Sequence, residues 1–471
     1  MSQTTAGLME KDLVNRQGRQ SSTEGARSDA LNYRTAYVNY SFAIALLAVA
    51  LFSRVATGLG APSILKFAHF GLAVGFVVLI APSIRNVISL RLVIGMSALL
   101  CAICLSAFVG GAGLINALLD FLLLAEPFLL LLIMIDVPFP EEKRRRFKII
   151  LMTFAFVHIA LAYFQYAVMD YGHPDEIRGV FIGQGAGAHV GGGVAMATAA
   201  YVLAARSGLS LRLRVCAASI AGAVVIFTDS KQVIFAALVS VAVLGLTKVK
   251  SPRRALGYLA LSALAAGGLY IAAQNVWPAL KPGTSLERLL QGLEHKASIL
   301  SLTTSHYKSP ANWLVGLGPG HTVGRLGLLL PDYERYLKPL GATVSPVTQA
   351  AVSANYASQL AQPGTGSSFW SINSSWAGIW GDLGLLGLTV VIALWLIVWR
   401  SVCVDDLSRF LVLNVLVLSL LYPWMEEPGY MLFVSALIGL NWQEKQGQRS
   451  RYDYADGGPE GTLAPEGELV L

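Results

Sequence analysis

Charge is what this sequence has least of. Asp, Glu, Lys and Arg make up 13% of the 471 residues, against about 25% in a soluble globular chain. Hydrophobic residues make up 55% and the mean hydropathy is +0.58. That shortage of charge excludes a water-soluble fold. The alternation in segments of about 10 residues that a membrane barrel needs is missing as well, and the apolar runs are uninterrupted and about 20 residues long, the length of a bilayer-crossing helix. Cysteine is scarce: Cys101, Cys104, Cys216 and Cys403 all fall in apolar runs or at their ends. No disulfide therefore holds a polar loop, and the pair in "CAIC" reads as helix packing despite its redox-motif spacing. Residues 1–34 lack an apolar core and a cleavage site, so no cleaved leader is expected, and the run from Ala36 is taken as an uncleaved anchor. Metal-ligand spacing is absent too, since His295, His306 and His321 are scattered at intervals matching no common site.

What remains is a chain of helices. Windows of about 20 residues place twelve spans, starting near Ala36, Pro62, Leu92, Leu114, Ile149, Gly191, Val215, Gln232, Leu256, Trp376, Phe410 and Tyr430. The expected fold is an all-α polytopic membrane protein. A polar tail over 1–34 precedes helices 1–9 in 35–275, a large loop spans 276–375, helices 10–12 occupy 376–442, and a second tail covers 443–471. Both tails are polar and Gly-rich without apolar periodicity, so disorder is expected there.

Basic residues in short loops orient the bundle. One set of loops carries Arg85, Arg91, "KRRRFK" (Lys143 to Lys148), Arg206, Arg212, Arg214, "KVKSPRR" (Lys248 to Arg254), Arg400 and Arg409. The alternate short loops hold only Arg54, Arg178 and Lys231. This bias places the first set and both tails in the cytoplasm and the large loop outside. The net charge of +7 follows from that topology and points to no nucleic-acid partner.

The other face receives the unusual sequence: "DYGHPDEIRGVFIGQGAGAH", "TDSKQ", the large loop, and "PWMEEPG". Within the loop, "NWLVGLGPGHTVGRLG" (Asn312 to Gly327) suggests a phosphate loop, but no strand precedes it and no Gly-Lys-Ser/Thr follows. Gly316, Gly318 and Gly320 are better suited to a tight turn, with Pro319 fixing one φ. From Pro339 to Gly381 the chain has no charged residue.

At these residues the chain resembles the superfamily of O-antigen ligases and Wzy-type polysaccharide polymerases. "SPANWLVGLGPGH" is similar to the family's glycine turn. "NSSWAGIWGDLGLLG" (Asn373 to Gly387) resembles its signature of His-Asn/Ser/Gln, nine residues and Gly-x-x-Gly. Ser374, Gly384 and Gly387 fit that signature, and Asp382 sits where an acidic residue is common. "IRGVFIGQGAG" resembles the family's Arg-x-x-Gly-x-Phe segment, and "FTDSKQVIFAAL" its Thr-x-Ser-Arg-Gly helix start, with Lys231 at the arginine.

The resemblance implies inverting glycosyl transfer outside the bacterial cytoplasmic (inner) membrane. It needs no metal, cofactor or nucleotide, and its donor is a glycan on undecaprenyl pyrophosphate. The implied partners are that lipid-linked glycan, the bilayer, and export machinery such as a flippase or a chain-length regulator. A pyrophosphate leaving group gains negative charge as its bond breaks, and cationic side chains stabilise it. Arg178 and Lys231 are the candidates, with Arg288 or Lys296 early in the loop and Arg325 after the turn. Lys231 keeps the charge of an arginine but loses its bidentate geometry. Asn373 stands where the ligases carry a histidine, and an amide cannot take a hydroxyl proton. Polymerase is therefore expected ahead of ligase, with a transporter as the reading of a different class. The base is sought among His306, His321, Glu426 and Glu427. Trp370, Trp376 and Trp380 are candidates for stacking on sugar rings or for interfacial anchoring.

Overall fold

The computed structural model describes residues 33–80, 84, 86–169, 176–182, 187–204, 209–248, 256, 257, 260, 264, 267, 286–361 and 371–455. Among the described residues every regular element is helical. In chain order these are α1 (Tyr33–Gly58), α2 (Ala68–Ile80), α3 (Val87–Gly110), α4 (Leu114–Asp136), α5 (Glu141–Ala167), α6 (Gly187–Ala204), α7 (Leu211–Phe227) and α8 (Lys231–Lys248). There follow α9 (Leu286–Thr304), α10 (Ala311–Val315), α11 (Arg325–Asp332), α12 (Pro346–Ala361), α13 (Ser375–Ile397), α14 (Asp406–Leu421) and α15 (Pro428–Ala455).

Among the described residues, seven helices are long and apolar enough to cross a membrane: α1, α3, α4, α5, α6, α8 and α13, the last extended to Val402. The twelve expected spans are thus met in part. Near Pro62 a 3-10 turn, Ser63–Phe67, leads into the 13 residues of α2, which are described as far as Ile80. At Val215 and Phe410 stand α7 and α14, of 17 and 16 residues. The span expected at Leu256 lies mostly outside the described residues. The one at Tyr430 begins as an apolar helix but runs on through Glu444 and Lys445 to Ala455. Residues 443–455, expected to be disordered, are therefore helical, because the helix has no glycine cap or proline to stop it near Trp442. Residues 1–32 and 456–471 of the two tails lie outside the described residues.

The bundle is organised around α4, which is buried along most of its length and packs against α2, α3 and α15. α13 lies along α3, α14 along α8, and α7 along α6. Phe108 and Leu114 are more than 80% exposed, as expected for side chains that face lipid. The described residues of the expected large loop are mostly helical and have a small core of their own, Ile299, Val323, Ala351 and Ile372.

Helices α5, α6, α14 and α15 each have two unlike ends. One set of ends, around Glu141, Ala204 and Asp405, with Glu444 midway along α15, surrounds a polar cavity of about 480 Å3 lined also by Arg144, Lys148 and Lys445. The other set carries the residues described next.

Candidate functional site

The glycine turn and the signature helix are two halves of one joint. α10 ends at Gly316, and Gly316, Gly318 and Gly320 take φ of 77°, 113° and 72°. α13 is broken inside its apolar length by Gly384, at φ 65° and ψ −164°. A break in a membrane helix frees carbonyls that need donors, and the turn supplies them. Leu317 N donates to Gly381 O at 2.8 Å, and Gly318 N to Asp382 O at 3.0 Å. A Cβ on Gly384 would sit 2.4 Å from the backbone of Leu314, and one on Gly316 would sit 2.3 Å from Asp382 O. Backbone meets backbone, so neither position admits a side chain. Asn116 of α4 fixes the turn from below by donating to Pro319 O and Thr343 O.

Buried carboxyls and guanidiniums gather around this joint. Asp382 accepts from Gly320 N at 3.0 Å and from Thr322 Oγ1 at 2.7 Å. Glu426, in the short turn Trp424–Glu426, accepts from Arg325 N. Glu427 is 1% exposed and bridges two guanidiniums, Arg54 through one oxygen and Arg325 through the other. Asp120 of α4 lies close enough to Asp382 and Glu426 for direct repulsion. Burial and the neighbouring Asp382 push Glu426 up to about 8.

Three consecutive glycines carry the two upstream motifs to the same end. Successive helical residues point about 100° apart, so Gly191, Gly192 and Gly193 of α6 face three different neighbours. Gly191 abuts His158 and Arg178 O, Gly192 abuts Ser230 and Thr228, and Gly193 abuts the ring of Trp424. Gln165 of α5 accepts from the N–H groups of Arg178 and Gly179, which pins the Arg178 segment. Phe181 of that segment lies under the guanidinium of Arg54, 5.7 Å from its ring centre. Lys231 pairs with Asp229 at 3.1 Å, both partly exposed. Lys296 donates to Ser371 O and Leu421 O and lies over the Tyr422 ring, and burial pushes its ammonium down to about 7. Tyr422 in turn stacks on His189 of α6 at 5.5 Å.

The candidate bases separate on this geometry. His321 Nδ1–H donates to Leu317 O at 3.0 Å and Nε2 accepts from Thr343 Oγ1 at 2.8 Å, so both ring nitrogens hold the turn; burial lowers its pKa. His306 bonds back to Leu302 O at the end of α9. Glu427 is tied up by its two arginines. Glu426 keeps one buried oxygen, Oε1, without a hydrogen-bond partner. Asn373 is 1% exposed: it donates to Val323 O at 2.9 Å and accepts from Ser371 Oγ at 2.7 Å. It latches the loop to the strand of chain after the glycine turn, and Ser374 beside it caps α13.

Trp376 is tethered by its indole N–H to Leu416 O. Trp380 forms an aromatic triangle with Tyr307 and Trp313, with centroids 5.2 to 5.8 Å apart. Trp370 and the side chain of Arg288 lie outside the described residues. Sequence reasoning gave no site role to Arg54 or Asp120. Both are ordinary-looking charges in apolar helices, and their meaning comes from partners more than 250 residues away. No group of His, Cys, Asp and Glu fit to hold a metal occurs among the described residues. The chain matches no known protein-family model and no curated protein.

Proposed function

We propose that the chain is a polymerase of undecaprenyl-pyrophosphate-linked repeat units of a surface or secreted polysaccharide. It has twelve spans, cytoplasmic termini, and its site on the outer face of the cytoplasmic membrane. The observation that carries this reading is the joint between the glycine turn and the broken helix, with buried arginines and carboxyls around it and the Arg178 and Lys231 segments at the same end. The ends of α5, α6, α14 and α15 opposite this site carry the Lys- and Arg-rich loops, which favours an outer placement. In this reading Arg178, Lys231, Arg325 and Lys296 face the pyrophosphate, and Glu426 takes the acceptor's proton. Asn373 holds the loop and leaves no base at the ligase position, which favours polymerase over ligase.

The test is chain-length analysis of polysaccharide from a deletion strain. Single-repeat products support a polymerase, and accumulated full-length carrier-linked chains point to a ligase. In the purified enzyme, Arg178→Ala and Lys231→Ala are expected to abolish polymer formation while Lys231→Arg retains it; near-normal polymer from both alanine variants defeats the assignment. One observation favours a transporter: His69 and Glu126 form a pair at 2.7 Å, both buried, within α2 and α4, and such intramembrane pairs often mark transport paths. Glycan movement across liposomes that is lost in His69→Ala, without any joining of repeats, would make that reading the better one.

A further inference from the structure

Three carboxyls share the interior beside the glycine turn. Asp120, Asp382 and Glu426 are 3%, 3% and 2% exposed and come from α4, α13 and the turn before α15. A Cβ built on Gly324 would lie 3.1 Å from Glu426 Oε2 and 3.4 Å from Asp382 Oδ2, so the two carboxyls flank one glycine. Asp120 faces both. The guanidiniums in contact with this group, Arg54 and Arg325, both bind Glu427.

The hydrogen-bond inventory is uneven. Asp382 accepts from Gly320 N and Thr322 Oγ1, and Glu426 accepts from Arg325 N through Oε2. Glu426 Oε1 and Asp120 Oδ2 are buried without any hydrogen-bond partner. A buried acceptor left without a donor is costly, and adjacent carboxylates without matching cations do not all ionise. Protons held within the group answer both costs, since a protonated carboxyl is a donor to its neighbour.

We propose that Asp120, Asp382 and Glu426 form a proton-sharing cluster, and that Asp382 and Asp120 are positioning residues that set the charge of Glu426. The role in catalysis rests on the glycosyl-transfer reading above. In that step a lone pair of the acceptor oxygen forms the new bond to the anomeric carbon. The bond from that carbon to the pyrophosphate oxygen breaks, its electron pair leaves on the pyrophosphate, and the hydroxyl proton moves to Glu426. The charged and titratable groups around Glu426 are Arg325 from α11, Asp382 from α13 and Asp120 from α4, with Arg54 of α1 reached through Glu427. Tyr307 faces Asp382, and the His321 ring is turned to Leu317 and Thr343.

Glu426 must ionise to accept a proton, so the rate of joining rises with pH through about 8. Removing the Asp382 charge moves that limb to lower pH. The cluster itself is tested without any activity, by infrared spectra of the purified protein across pH 6 to 9. A carbonyl band of a protonated carboxyl is expected to fade near pH 8, to be lost in Glu426→Gln, and to titrate about one unit lower in Asp382→Asn. Asp120→Asn, which removes no hydrogen bond seen here, is expected to weaken the protonated-carboxyl signal should Asp382→Asn fail to fold. The absence of any band removed by Glu426→Gln overturns the cluster, whatever reaction the protein performs. A band that behaves as expected, with a pH–rate profile on purified lipid-linked repeats unmoved by Asp382→Asn, overturns the catalytic role. Failure of the wild-type protein to join repeats, with the band intact, counts against the polymerase reading alone.

Discussion

The two ends of the bundle hold themselves together by different means. At the basic end, Lys148 pairs with Glu444, Lys248 with Asp406, and Arg146 with Glu142, with side chains between 29% and 68% exposed. Such pairs are screened by water and salt and contribute about 0–1 kcal/mol each. At the other end, Arg54 and Arg325 are 11% and 13% exposed as side chains, and the Glu427 between them 1%. Burying charges costs more than surface pairs return, and breaking a buried set by removing one member costs about 3–5 kcal/mol. The buried arginine–glutamate set lies at one end only, although that end also carries the more exposed pairs Lys231–Asp229 and Lys338–Glu334. That end is where chemistry is to be sought.

The sharpest way to break the contrast is at the joint. Gly384→Ala forces a side chain onto the Leu314 backbone at a positive φ, and should cost about 4 kcal/mol or more, measured as loss of folded protein in detergent. Gly222→Ala in α7 meets nothing within 4 Å and should be neutral or stabilising by about 0.5–1 kcal/mol. Equal effects from the two would mean the joint is not formed. Next comes Arg54→Ala, expected to destabilise by about 3–5 kcal/mol because Glu427 keeps a buried charge. Lys248→Ala at the basic end should stay within about 1 kcal/mol.

Asn373→Ala removes a buried latch and leaves Val323 O without this donor, a loss of about 1–3 kcal/mol. If the latch only positions the loop, repeat joining should slow by about 2- to 100-fold at 0.5–3 kcal/mol of lost interaction. A variant that is folded yet completely dead would give Asn373 a larger part than it has here. The smallest and most diagnostic effect concerns pH. Glu426 titrates near 8 in the fold, above its unfolded value of about 4.3. Its stabilisation is full below the unfolded value and lost as pH rises through about 8, so the Tm should decline between about pH 5 and 8 and level off above that. Glu426→Gln should flatten that decline, and an unchanged slope would place the buried charge elsewhere.

Much of the helical framework was legible because burial in lipid demands long apolar runs, and α1, α3, α4 and α13 begin close to where those runs begin. The span count was less so. A run of apolar residues does not reveal where its helix begins and ends: α7 and α14 are only 17 and 16 residues long. The motifs were legible one by one: the glycines of the turn, Ser374 as a cap, and Gly384. Their mutual docking was not, because the hydrogen bonds from Leu317 and Gly318 to Gly381 and Asp382 join residues more than 60 positions apart. His321, one of the candidate bases in the sequence, has both ring nitrogens hydrogen-bonded within the glycine turn in the fold. Glu426 and Glu427 looked alike and diverge: Glu427 forms ion pairs with two guanidiniums, while Glu426 accepts from the backbone N–H of Arg325.

Composition and pattern by themselves determined that this chain is helical and built for a membrane, and that its cations are unevenly divided between its loops. Those properties are sums over residues, and the solvent reads them without any fold. Which charges are buried, and which carboxyls lie next to one another, only the tertiary structure decided. Ionisation depends on distance and desolvation, and Asp120, Asp382 and Glu426 acquire both only when α4, α13 and the turn before α15 come together.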